Sequence, residues 1–430
     1  MDLTKHTQPT VEAIKNYWHA KGSSQEKRHY LGGSIVGSHC ERKLWYDFRH
    51  MTEEDFDGRL YRLFQRGHNE EHTFVEELRG AGVTVHEVGK DGEQFGFKAV
   101  GGHVAGHLDG VGKGLLEAPE TWHLLEFKTH SAKSFKALEK DGVEKSKPQH
   151  WGQVMLYMKW AKLTRAFYLA VNKDNDELYS ERIEYNADQA DALEAKAKRI
   201  VESQHAPERP YNKRDFYLCK WCSAQDLCWG SEEKTAPAID IKTLSCRQCL
   251  HATPELDGDA RWSCHKHKTD RTFDEQCNPC RDLLLIPSLI EWANPIDTVQ
   301  DDDGKEAIVF EDDDGNTWQH GQNARCNQYS AGDLVTMPRS LIGSAGMTAV
   351  KTILGGNVAK VEPDMAYRYT HASVVWTGTR ADMPSALKAH GITGKPTLEA
   401  SCDEWNAAEW CDTAAFVYAD GKCEIKTQKV

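Results

Sequence analysis

No stretch of 18 apolar residues occurs in this 430-residue chain, so no membrane-spanning helix is expected. The opening residues, Met1-Asp2-Leu3-Thr4-Lys5-His6, lack the apolar run of a secretory signal, and a cytoplasmic protein is expected. Excess positive charge is also missing: the formal net charge is −13. Taken whole, that balance disfavours a nucleic-acid partner, but the acidity is uneven. Residues 1–230 carry 33 Lys and Arg against 35 Asp and Glu, and the remainder carries 20 against 31. A near-neutral N-terminal half can still present a basic groove, because local potential governs the approach of DNA. Without an export signal, the 13 cysteines, several in C-x-x-C pairs, point to metal rather than to disulfides.

What is present concentrates between Gly106 and Tyr157. Val104 to Asp109 and Trp122 to Lys128 read as short strands, the second carrying Glu126-Phe127-Lys128. Side chains alternate along a strand, so Glu126 and Lys128 share a face while Phe127 turns to the core. If the two strands pair, Asp109 approaches Glu126. Two carboxylates repel unless a divalent cation lies between them, and hard oxygen ligands suit Mg²⁺ or Mn²⁺. Lys128 beside them can orient or deprotonate a water, or offset charge on a phosphate. Gln153 and Tyr157 fall on one face of a helix expected over about 149–160.

The ordered set Asp109, Glu126-x-Lys128, Gln153-x-x-x-Tyr157 resembles the PD-(D/E)xK nucleases, and within them the RecB-like branch. The resemblance implies an α/β fold with a restriction-endonuclease-like αβββαβ core. It implies a catalytic set of Asp109, Glu126, Lys128, Gln153 and Tyr157. It also implies a third metal ligand on a preceding helix, where Gly67-x-x-x-Glu71 supplies Glu71, with His72 one residue beyond as second choice. The amphipathic stretch Arg59 to Arg79 provides that helix. Further helices are expected at 10–20, from near Ser38, and at 187–204. Strands are expected at 83–88, 94–100, 166–171 and 178–185. Arg42, Lys43, Arg59, Arg62, Arg66 and the series Lys133, Lys136, Lys140, Lys145, Lys147 are candidate phosphate contacts.

Two cysteine blocks follow. Cys219, Cys222 and Cys228 have C-x₂-C-x₅-C spacing, one ligand short of a cubane, and Cys40 offers the fourth. One early cysteine plus a late triplet resembles the iron–sulfur RecB-like nucleases, AddB and the CRISPR-associated exonucleases among them. There a 4Fe–4S cluster staples the ends of the domain; a zinc ion on the same ligands is the alternative. Beyond a linker expected at 231–241 come Cys246, Cys249, Cys264, His267, Cys277 and Cys280, more ligands than one tetrahedral zinc needs. Such a module either touches DNA or braces the fold.

The expected organisation is a nuclease domain over 1–235, a zinc-binding module over 242–290 and an acidic C-terminal domain over 291–430, of α+β fold and unread role. A hairpin is expected from 308 to 318 around an acidic turn, and a strand over 367–376. Cys326, Cys402, Cys411 and Cys423 are too scattered to form a site. The resemblance implies a Mg²⁺- or Mn²⁺-dependent DNA exonuclease of a bacterium or phage-infected cell, acting in end processing or recombination on single-stranded DNA or duplex ends. The alternative is a non-catalytic DNA-binding or regulatory protein on the same scaffold.

Overall fold

A computed structural model describes residues 8–25, 27–54, 56–233, 236–300, 304–322, 327–344, 347–348, 359–361, 373–379, 382–389, 401–410, 413–418 and 422–427. The chain starts with α1 (Pro9–Ser23), the two-residue strand β1 (Leu31–Gly32), α2 (Glu41–Phe48) and α3 (Gly58–Gly80). Asp57 caps α3, its carboxylate accepting from Leu60 N–H, as an N-cap aspartate does. Next come β2 (Thr84–His86), β3 (Gly96–Ala99), β4 (Val104–His107), β5 (Gly110–Lys113) and β6 (His123–His130). A crossover of α4 (Ala132–Ser146, broken at Gly142) and α5 (Pro148–Ala161) leads to β7 (Arg165–Asn172), β8 (Leu178–Glu184) and α6 (Ala187–Glu202).

The central sheet runs β2-β5-β6-β7-β8. Only the β6–β7 pair is parallel, from Leu124 opposite Ala166 to His130 opposite Asn172. Parallel neighbours need a crossover connection, here supplied by α4 and α5. One face of β6 offers Leu125 and Phe127, which join Phe74, Val75 and Leu78 of α3 in a compact apolar cluster. The other face carries Leu124, Glu126 and Lys128, and Leu124 packs with Val154 and Met155 of α5.

The strands expected at 83–88, 94–100, 104–109 and 122–128 do not form one sheet. β3 and β4 pair with β1 in a separate three-stranded sheet, β1-β4-β3. The chain breaks at Leu108-Asp109, and it is β5 that pairs with β6, Gly110 opposite Leu125. Two of the four residues of β5 are glycines. Leu125 lies across them, and a Cβ at Gly112 would stand 3.1 Å from its Cδ2. Asp109 therefore sits at a corner between two sheets rather than within a strand.

The cysteine-rich segment is not an appended unit. After the short helix α7 (Gln225–Trp229), the strands β9 (Ala252–Pro254), β10 (Trp262–Cys264) and β11 (Thr269–Arg271) form an antiparallel sheet, followed by the short helix α8 (Phe273–Cys277). Trp262 is fully buried against Phe48 of α2 and His103. The expected linker 231–241 is pinned too. Ile239 and Ile241 are buried, and the N–H groups of Ala238 and Ile239 donate to Met337 O and Leu334 O. Alternation of apolar residues in Ala-Ile-Asp-Ile gives that segment a buried face.

The hairpin expected near 308–318 forms from Glu306–Asp312 and Thr317–His320. Its acidic turn is closed by Asp312, whose Oδ1 accepts from the N–H groups of Asp314 (3.0 Å) and Asn316 (2.8 Å). The strand expected over 367–376 is described from Ser373 to Thr379, within a five-stranded sheet. Cys326 and Cys411 lie outside the described residues, as do the side chains of Cys402 and Cys423.

Candidate active site

Two turns of local geometry bring the carboxylates together. The corner before β5 directs Asp109 back over β6, where its Oδ2 accepts from Phe127 N–H at 2.8 Å. On β6, Glu126 is fully buried. Its Oε2 accepts from Gln153 Nε2 at 3.0 Å, and its Oε1 is paired with the Lys128 ammonium. Gln153 thus reaches across from α5 to fix a carboxylate on the sheet. Lys128 also donates to Phe127 O at 3.1 Å.

Glu71, on α3, is half-buried and joins this group. Burial raises its pKa, and Asp109 raises it further, while His68 and Lys128 lower it. His72 points elsewhere: it is exposed, with Nδ1 3.9 Å from Glu87. Tyr157 is buried beside Gly106 of β4, and a Cβ on that glycine would overlap the Tyr157 hydroxyl. Gly106→Ala is therefore expected to cost about 1–3 kcal/mol. A denaturant midpoint unchanged from wild type would refute that packing.

The electrostatics of the cluster follow from crowding. Burial, then Asp109 and Glu71, push the Glu126 carboxyl up to about 7 against the opposing pull of Lys128. Lys128 is shifted upward: burial alone would depress it, but Glu126, Asp109 and Glu71 outweigh that. Lys128 therefore stays a cation among the three carboxylates. Those three, on α3, the corner and β6, are hard-oxygen donors of the type that suits Mg²⁺ or Mn²⁺, but among the described residues only His267, Cys280 and Asp282 have donor atoms all within 4.8 Å of one another.

The folded-state pKa of Glu126 lies above the ordinary 4.5, so its stabilising contribution is complete below about 4.5 and is lost as pH rises through about 7. A cation must displace that proton. Mg²⁺ or Mn²⁺ affinity is expected to fall about tenfold per pH unit below 7. Calorimetric titration at pH 6 and pH 8 giving equal affinities would rule this out.

Glu71 and Lys128 line a cleft of about 1540 Å³ whose other wall includes α1 and the start of α3. Two histidines line it as well. His130 follows Glu126 and Lys128 on the same face of β6, and His150 precedes Gln153 by one helical turn. His130 Nε2 and His150 Nδ1 both meet the Tyr168 hydroxyl, at 3.0 and 2.9 Å. Burial first, then nearby lysines, pushes His130 down to about 4 and His150 to about 3, so both are neutral. The alternation along β6 and the three-residue spacing on α5 were the signals that could have singled them out.

A model of the PD-(D/E)XK nuclease superfamily matches residues 14–229, half of the chain. The chain belongs to the PD-(D/E)XK nuclease superfamily. No curated protein matches it. Among solved structures, SSO0001 is similar at 13% identity and TM-score 0.32, covering 52% of this chain and 98% of that one. LHK-Exo, an alkaline exonuclease from Laribacter hongkongensis, is similar at 16% identity and TM-score 0.30, covering 43% of this chain and 90% of that one. The same enzyme in complex with dAMP gives 17% identity at the same TM-score and coverage.

The candidate phosphate contacts of this superfamily member divide. Arg42 is buried and committed to Tyr46 Oη (2.8 Å), Pro207 O (2.9 Å) and Glu291. Lys43 and Lys147 line the cleft. Arg59, Arg62 and Arg66 are exposed on α3, and Lys133, Lys136, Lys140 and Lys145 are exposed on α4. No described helix is long and apolar enough to cross a membrane.

Cys40, Cys219, Cys222 and Cys228 line one small cavity of about 30 Å³. Cys40 caps α2, its Sγ accepting from Lys43 N–H at 3.4 Å. Burial raises the pKa of Cys40, Cys219 and Cys222, and neighbouring cysteines add to the rise. In the second block Cys246, Cys249, Cys264 and Cys280 line a cavity of about 10 Å³ together with His267 and Asp282. Cys277 lies outside that lining, beside the Arg247 guanidinium.

Proposed function

We propose that this protein is a Mg²⁺- or Mn²⁺-dependent DNA nuclease of exonuclease type, working on single-stranded DNA or duplex ends in end processing or recombination. The observation that carries this reading is the convergence of Glu71, Asp109 and Glu126 around a cationic Lys128 at the edge of one large cleft. A bound divalent cation supplies Lewis-acid activation of water and neutralises charge on the phosphodiester. The chain's own residues do the rest. Gln153 fixes the Glu126 carboxylate, Phe127 N–H fixes Asp109, and Lys128 offsets the charge of the phosphate under attack. A scaffold without catalysis has no use for a buried glutamate so held.

The same reading assigns a 4Fe–4S cluster to Cys40, Cys219, Cys222 and Cys228 and zinc to the second cysteine block. In its favour, Cys40, Cys219, Cys222 and Cys228 line one cavity and Cys246, Cys249, Cys264 and Cys280 line another. The deciding experiment incubates purified protein with end-labelled single-stranded, linear duplex and circular DNA, with Mg²⁺, Mn²⁺ or chelator. Metal-dependent loss of linear substrates is expected. Cutting of closed circles at the same rate would replace the exonuclease reading, and no cutting under any condition would remove the enzyme.

A further inference from the structure

The second cysteine block is joined to the nuclease domain through the two residues inside its first C-x-x-C turn. Arg247 and Gln248 are 1% and 0% exposed. Arg247 donates to Phe48 O (3.1 Å), His29 O (2.9 Å) and Gln276 Oε1 (2.9 Å). Its guanidinium stacks over Trp262, 5.0 Å from the ring centre. Gln248 donates to His50 O at 2.9 Å. The tie is reciprocal, since Arg49 donates to Arg247 O at 2.9 Å and to Ser203 O at 2.8 Å.

The segment so gripped, residues 28–50, borders the cleft. Arg28, Asp47 and His50 line it, and His50 Nε2 meets Arg28 O at 3.0 Å. On the other side of the turn are the thiols. Cys246 and Cys249 flank the buried pair, Cys264 ends β10, and Cys280 follows α8. The four line a cavity with room for about one ion. His267 Nε2 stands 3.4 Å from Cys280 Sγ and 3.2 Å from Asp282 Oδ2, and the three donor atoms lie within 4.8 Å of one another. His267 is therefore a nitrogen donor competing with the thiols for an ion in this cavity.

We infer that one zinc ion bound by Cys246, Cys249, Cys264 and Cys280 locks the 246–249 turn as a plug in the nuclease domain, so that this site shapes the cleft from behind instead of contacting DNA. The inference rests on the reading of this block as zinc-binding and adds the ligand set and the role. Cys277, which does not line the cavity, is left out of the set, and His267 is the competing donor that the cobalt spectrum distinguishes.

The test uses the full chain, purified without chelator, with zinc and iron measured separately. One zinc per chain is expected in wild type and in Cys277→Ser, and none in Cys280→Ser, with iron unchanged in all. No zinc in wild type removes the zinc reading itself. Zinc retained in Cys280→Ser, or lost in Cys277→Ser, overturns the ligand set alone. If Cys280→Ser does not fold, wild type grown with Co²⁺ in place of zinc reports the ligands by its absorption. A four-sulfur spectrum is expected, and a three-sulfur, one-nitrogen spectrum overturns the assignment.

For the plug, Arg247→Met should keep its zinc, lose roughly 5–10 °C in Tm and raise KM for DNA roughly fivefold with kcat unchanged. An unaltered Tm, or a fall in kcat at unaltered KM, overturns the plug while leaving the zinc site standing.

Discussion

Asp109→Asn and Glu126→Gln should each lower DNA cleavage by about 10³-fold or more while the protein remains folded. The two substitutions remove charge and keep shape, so neither opens a cavity. Glu126→Gln should even relieve the cost of holding a carboxylate in full burial, and its stability near neutral pH should equal or exceed that of wild type. Lys128→Ala is expected to be nearly as inactive yet to bind Mg²⁺ or Mn²⁺, because it removes a cation and no ligand. Single-turnover cleavage, calorimetric metal titration and thermal melts separate the three. Wild-type cleavage by Asp109→Asn would rule out this site as the place of chemistry.

Cys40→Ala should carry the largest effect on stability. Cys40 lies at the start of α2, while Cys219, Cys222 and Cys228 lie beyond α6, and the four share one cavity. A cluster there closes a loop through almost the whole nuclease domain. By analogy with a disulfide of that span, the constraint is worth roughly 4–5 kcal/mol. Protein purified anaerobically should be brown and contain four irons beside its zinc. Cys40→Ala should lose the colour and the iron and melt at lower temperature. Retention of four irons with unchanged stability would show that Cys40 is no ligand.

The geometry of the stretch from Gly106 to Tyr157 was legible because its signals are local. Alternation put Glu126 and Lys128 on one face, helical spacing put Gln153 and Tyr157 on another, and the amphipathic run 59–79 gave α3 to within a residue at each end. Whether Glu71 or His72 faces the cluster was harder, since adjacent helical positions differ by about 100° and the pitch must be known to the residue. The corner at Leu108-Asp109 was not legible. A Gly-Val-Gly strand has little β-propensity of its own and exists because Leu125 lies across it. α4 was missed because its polar, lysine-rich sequence reads as a surface segment. The integration of the cysteine-rich block was invisible for a different reason: Arg247 and Gln248 look like solvent-facing residues, and only long-range carbonyl partners bury them.

The separation of Cys40 from its three partners also has a consequence in time. The chain is made from its N-terminus, at about 5–20 residues per second, so Cys40 emerges roughly ten to forty seconds before Cys228. The stretch from β4 to α5, which holds Asp109, Glu126, Lys128, Gln153 and Tyr157, is complete in that interval and can pair its strands as it appears. The proposed iron–sulfur centre would be assembled only after the sheet has brought the two ends of the domain together, which would make its loading a late step on a chain whose candidate site is already in place.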